Sequence, residues 1–248
     1  MSGHSKWANI RIRKGRQDAQ RGKLYAKVSR EIIVAAREGG GNPEANARLK
    51  SAVQAARDAN MPNDTIEKAI KRGTGELEGM RFEEATYEGY GPAGVALLVQ
   101  VQTDNTNRTV AEIRNLLTKH GGSLGEAGCV AWMFEKKGLV LVDKQGTEED
   151  ALLEAVLEAG AEDMKEEDST FEITAAPEDL QRLREAVEAL GLRPLQATIA
   201  MVPHSTVPVP DNQAGKVLAL MAALEDHDDV RQVYSNFDIA AEVLASAA

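Results

Sequence analysis

This chain is poor in cysteine, in aromatics and in long apolar runs. Cys129 is the single cysteine among 248 residues, so one chain can build neither a disulfide framework nor a thiolate metal site. A reducing cytoplasm is the expected compartment. Aromatic residues make up 4%, so any core must be aliphatic, and the 43% hydrophobic content is enough for one and excludes global disorder. No run reaches the roughly 18 apolar residues a membrane-spanning helix needs. The longest stretch free of Asp, Glu, Lys and Arg, Pro194 to Pro210, is broken by prolines. The first residues lack the apolar segment of a secretory leader, so none is expected.

Familiar catalytic spacings are missing too. His4, His120, His204 and His227 are scattered, and none stands four residues from another His or Cys. No G-x-S-x-G occurs. Gly15 to Lys23 fails as a phosphate loop, because Leu24 stands where Ser or Thr would ligate magnesium. The Gly-rich run Gly121 to Gly128 precedes a strand and reads as a helix stop and a turn. Glu148-Glu149-Asp150 and Glu166-Glu167-Asp168 read as a solvated helix start and a charged loop. Asp104-Asn105-Thr106-Asn107 reads as a capped strand-to-helix junction. The expectation is a non-enzymatic protein without metal or cofactor.

What is present is charge, unevenly placed. The net charge of −10 averages two unlike parts. Residues 1–75 hold 16 Lys and Arg against 7 Asp and Glu, a net of +9, and the remainder carries −19. A cationic front on an acidic body predicts a polyanionic partner met by the front alone. Five cations fall within Lys6 to Arg16: Lys6, Arg11, Arg13, Lys14 and Arg16. Arg21, Lys23, Lys27 and Arg30 follow, with Asp18 the one acid before Glu31. These nine are the expected phosphate contacts, and Trp7, inside the basic run, is the expected base-stacking residue. No helix offers Asn, Gln and Arg at base-reading positions, so backbone contact is expected rather than base readout.

The pattern predicts an α+β protein of three domains. A basic arm and three helices fill 1–77. The first helix starts near Asp18, with Leu24, Val28 and Ile32 inward, and stops at Gly39-Gly40-Gly41. Asn42-Pro43 is expected to open the second helix, an Asp64/Glu67 capping box the third, and Gly73 to end it. Residues 78–135 then read β-β-α-β, with strands at Phe82–Glu88, Val95–Thr103 and Cys129–Phe134 and a helix capped by Thr109 and Glu112. Residues 136–207 read β-α-β-α-β. The last helix and strand, within 208–248, cannot bury themselves alone. Hence 78–135 and 208–248 are expected to form one discontinuous ferredoxin-like domain, with 136–207 a second such domain inserted into it. Neither carries the aromatic, basic strands of an RNA-recognition motif.

Several segments resemble the YebC/PmpR family. They are Gly3-His4-Ser5-Lys6-Trp7-Ala8-Asn9-Ile10, Asn60-Met61-Pro62, Tyr87-Glu88-Gly89-Tyr90-Gly91-Pro92, Asp104-Asn105-x-Asn107-Arg108, Gly121-Gly122-x-Leu124-Gly125 and Asn236-Phe237. The resemblance spans essentially the whole chain. It implies a cytoplasmic, non-enzymatic, three-domain protein. Bacterial members are described as probable transcriptional regulators that bind DNA. Mitochondrial relatives are translational activators, and bacterial members are also linked to ribosomes and proline-rich stalls. The expected function is a nucleic-acid-binding regulator acting on DNA. A ribosomal-RNA-bound translation factor is the alternative, and a metabolite sensor built from the α+β domains is a second.

Overall fold

The computed structural model describes residues 18–78, 81–167, 169–240 and 243, with the side chains of 18–21 left out. The first described element, α1 (Asp18–Gly39), is followed by α2 (Ala47–Asp58) and α3 (Asn63–Thr74). Ile32, Ile33, Ala35 and Ala36 of α1 pack on Leu49, Val53 and Ala56 of α2 and on Ile66 and Ala69 of α3. Leu24, expected inward, is 47% exposed. The adjacent Tyr25 takes the inward place instead, packing with Val28 against the bundle and donating from its hydroxyl to the Asn60 carbonyl at 2.7 Å.

Three local expectations need correction. Asn46, not Asn42, caps α2: its Oδ1 accepts from Leu49 N–H at 3.0 Å, and its Nδ2 donates to Ala35 and Gly40 carbonyls at 2.8 and 2.9 Å. Asn42 instead makes a local turn, accepting from Glu44 N–H. Pro62, without a side-chain cap bond, precedes α3 in place of the expected capping box. Gly73 does not end α3. It lies buried inside the helix, where a Cβ would meet the Ile33 carbonyl oxygen at 2.6 Å and the Ala36 Cβ at 2.7 Å. The close approach of α1 and α3 needs its missing side chain. Gly75, at φ +84°, is the stop.

Beyond residue 81 the chain builds two four-stranded sheets. The first holds β1 (Glu83–Tyr90), β2 (Ala96–Thr103), β3 (Ser123–Leu124) and β9 (Val230–Ser235) in the order β3-β1-β2-β9. Helices α4 (Thr106–Lys119) and α7 (Asp211–Asp226) cover one face, with Ile113, Leu117, Val217 and Leu220 against Leu97, Val99 and Val233. Asn105, not Thr109, caps α4, accepting from Arg108 N–H at 3.1 Å. The second sheet holds β4 (Phe134–Asp143), β5 (Ala161–Glu166), β6 (Thr170–Ala175) and β7 (Gln196–Pro203) in the order β5-β6-β4-β7, every pairing antiparallel. Helices α5 (Glu149–Glu158) and α6 (Leu180–Ala189) cover its outer face. A short parallel pair, β8 (Val207–Pro208) with β10 (Phe237–Asp238), ties the return segment to the end of the chain.

The inner faces of the two sheets meet. Ala96, Leu98 and Tyr234 of the first pack with Leu139, Leu141 and Ala200 of the second, with Phe134 and Val130 between them. The layers therefore run helix, sheet, sheet, helix. This explains why Ala96–Val99 of β2 and Leu139–Val142 of β4 read as continuous apolar runs, since segments covered on both faces have no reason to alternate.

Two strand assignments change. Cys129–Phe134 is not a strand; Ala131–Met133 forms a 3₁₀ turn and β4 opens at Phe134. The third strand of that sheet is Ser123–Leu124, paired with Tyr90 and Gly89. The second sheet gains β5, an edge strand of sequence AEDMKE whose charged residues face water. It turns the expected β-α-β-α-β into the full β-α-β-β-α-β. The first sheet reaches the same layered arrangement through a different connection order, because it begins with the β1–β2 hairpin.

Candidate nucleic-acid interface

Of the expected contacts, Lys6, Trp7, Arg11, Arg13, Lys14 and Arg16 lie outside the described residues. Arg21 falls in the first turn of α1, its side chain undescribed. The structure brings Lys23, Lys27 and Arg30 together, as their steps of four and three on a helix require. All three reach the turn between α7 and β9.

Lys23 Nζ sits 2.6 Å from Asp226 Oδ1 and 3.3 Å from the Asp226 carbonyl. Lys27 Nζ donates to the Glu225 carbonyl at 2.5 Å. Arg30 Nη1 donates to the Asp228 carbonyl at 2.5 Å and to Asp229 Oδ1 at 3.2 Å, with its guanidinium 5.3 Å from the centre of the Phe82 ring. The hydrogen bond to Asp226, aided by that charge and by Asp228, raises the Lys23 pKa against a smaller desolvation effect. The cationic stripe read from sequence is thus engaged with the chain's own acids.

Asp229 is the hub beneath this contact. It is buried, and its Oδ2 accepts from Arg108 Nη2 at 2.7 Å, Thr109 Oγ1 at 2.8 Å and Thr103 Oγ1 at 3.1 Å. Burial opposes its ionisation, but these donors outweigh burial and hold its carboxyl below the usual range. His227 Nδ1 accepts from Asp229 N–H at 3.2 Å, which leaves the ring proton on Nε2, 2.9 Å from Glu112 Oε2. Glu112, His227 and Asp229 offer ligand atoms within 4.8 Å of one another. The Asp229 carboxylate is already saturated by four donors, however, so the group reads as an ion-pair hub rather than a metal centre. A cleft of about 660 Å³ lies above the hub, lined by Lys23, Arg30, Arg108, Asp104, Glu112 and Asp226 among others.

A second clasp holds the helical unit to the first sheet. Arg48 of α2 bonds Glu31 Oε1 at 2.9 Å, Glu38 Oε2 at 2.6 Å and Glu84 Oε1 at 2.5 Å. Glu31 also accepts from Gln102 Nε2 at 2.5 Å and pairs with Arg231 at 2.8 Å. Burial opposes ionisation of Glu84, but Arg48 and Gln102 lower its pKa. Elsewhere, buried Glu88 accepts from the backbone N–H groups of Gly128, Val130 and Ala131 at 2.6 to 2.8 Å. Those donors overcome burial and depress its pKa.

Sequence reasoning missed the partner of the stripe. The signal was there: Glu225-Asp226-His227-Asp228-Asp229 puts acids at the carbonyl end of α7, where a helix dipole favours cations and α7 itself supplies none in its last turn.

The chain is similar to known proteins throughout. The family described as "TACO1/YebC protein N-terminal domain" matches residues 5–76, and "TACO1/YebC second and third domain" matches 82–237. A relative from Dictyoglomus turgidum, named a probable transcriptional regulatory protein, is 56% identical over 247 residues, covering 99% of each chain. One of the same name from Pelotomaculum thermopropionicum is 54% identical, over 96% of this chain and 99% of its own. The crystal structure of a conserved hypothetical protein from Aquifex aeolicus superposes with a TM-score of 0.82 at 50% identity, over 90% of this chain and 92% of the other. This α+β chain, with its helical N-terminal unit, belongs to the TACO1/YebC family.

Proposed function

We propose that the protein is a non-enzymatic, cytoplasmic regulator of gene expression that binds nucleic acid through its basic N-terminal segment. The observation that carries this reading is charge polarity: +9 on residues 1–75 against −19 on the rest. Lys6, Arg11, Arg13, Lys14, Arg16 and Arg21 supply phosphate contacts, Trp7 a stacking surface, and Lys23, Lys27 and Arg30 extend the track along α1. The names of its relatives support transcriptional regulation as the process, and DNA is the target we infer from the basic segment. The acidic sheets keep the polyanion on the helical side. We take residues 78–135 and 208–248 as one discontinuous unit around an insert, 136–207; the pairing of β9 with β2 supports that division.

With six phosphate contacts on duplex DNA, the log–log salt dependence of binding has a slope of about −5. Arg13→Ala with Lys14→Ala weakens binding on every sequence and flattens that slope; an unchanged slope removes them from the interface. Crosslinking and sequencing in cells decides the target: promoter DNA among the recovered fragments supports the reading, and ribosomal RNA alone replaces it with a translational one.

A further inference from the structure

We propose that in the free protein the acidic turn 225–229 stands in for nucleic-acid phosphate on α1, so that its docking and polyanion binding compete for Lys23, Lys27 and Arg30. This rests on the nucleic-acid reading above and adds its regulation.

The turn has the chemistry of a short anionic strand. It offers carbonyl oxygens of Glu225, Asp226 and Asp228 and carboxylates of Asp226 and Asp229 to three cations in a row. Those carbonyls include the negative pole of α7. Nothing in the last turn of α7 neutralises it, so the cations must come from α1. Around the cleft, Asp104, Glu112, Asp226, Asp228 and Asp229 outnumber Lys23, Arg30 and Arg108, so a phosphate chain entering the closed cleft meets net negative charge. Nucleic acid gains the stripe by displacing the turn. The route in is from the outer pair, since Lys23 and Asp226 are 46% and 72% exposed while Asp229 is buried at 6%.

The test uses the full chain carrying Cys129→Ser and spin labels at Asp58 and Lys119, exposed positions on the helical unit and on α4. The probes are a duplex DNA and a ribosomal RNA helix, added separately. Saturation with the bound probe is expected to lengthen the inter-label distance. Asp226→Asn with Asp228→Asn is expected to lengthen it without any probe and to tighten binding about three- to tenfold, as loss of one exposed ion pair and of a second nearby carboxylate charge allows. The control, Asp150→Asn with Glu178→Gln, removes the same net charge from the second sheet's helical side and should tighten binding less than about twofold. Binding without a change of distance, with the two double variants equal in affinity, overturns the competition and leaves the nucleic-acid reading standing. No binding of either probe by any variant overturns that reading itself, and the competition with it.

Discussion

The two clasps that hold the helical unit differ in what surrounds them. Around Arg48, a guanidinium 31% exposed meets three carboxylates, one of them, Glu31, only 14% exposed and shared with Gln102 and Arg231. At the other clasp, Lys23 meets Asp226 one to one in solvent, and only the inner cation, Arg30, reaches the buried Asp229. Fork-shaped, shared and half-buried contacts resist exchange, while exposed one-to-one pairs are worth little and are screened by salt. The helical unit therefore has a firmer attachment at the C-terminal half of α1, about which it can pivot, and a more exchangeable one at Lys23, near its basic start.

The largest expected effect breaks the hub beneath the exchangeable clasp. Asp229→Ala leaves Arg30, Arg108, Thr103 and Thr109 without their shared acceptor and should cost about 3 kcal/mol in urea unfolding. A loss below about 1 kcal/mol would mean the hub is not a structural anchor. Next, Gly73→Ala pushes α3 off α1 behind the firmer clasp and should cost about 1–3 kcal/mol in the same measurement.

Acid sharpens the comparison. Glu84, Glu88 and Asp229 all have lowered pKa values in the fold. Their contribution to stability is fully present above the unfolded carboxylate range, near pH 4. It is lost as pH falls through their lower folded values. Unfolding free energy should thus decline below about pH 4, and Glu88→Gln should flatten that decline; an acid limb identical to the parent's would remove Glu88 as a contributor. The smallest effect is Lys23→Ala, which should leave the thermal midpoint unchanged while loosening the outer contact, read as the Asp58–Lys119 label distance. A large drop in the midpoint would show the exposed clasp to be structural after all.

Much of the fold was legible. The glycines at 39–41 ended α1 as read, because a left-handed cap needs a residue without Cβ. The switch from a helical to a strand period near residue 81 was plain. β5 was hidden because an edge strand can carry AEDMKE without apolar alternation, and β3 because two residues hold no period. Gly73 misled because a helix stop and a helix contact both call for glycine. The cationic stripe was visible as a stripe, but its occupant was some 200 residues away, beyond the reach of local pattern.

The sequence by itself determined the charge polarity, the helical start, the aliphatic cores and the family motifs, since each rests on composition or on spacing within a few residues. The tertiary structure alone decided that the two sheets pack face to face and that Lys23, Lys27 and Arg30 meet the acidic turn. Both depend on long-range juxtaposition, in which an apolar face or a charge acquires its meaning from whatever the chain brings against it.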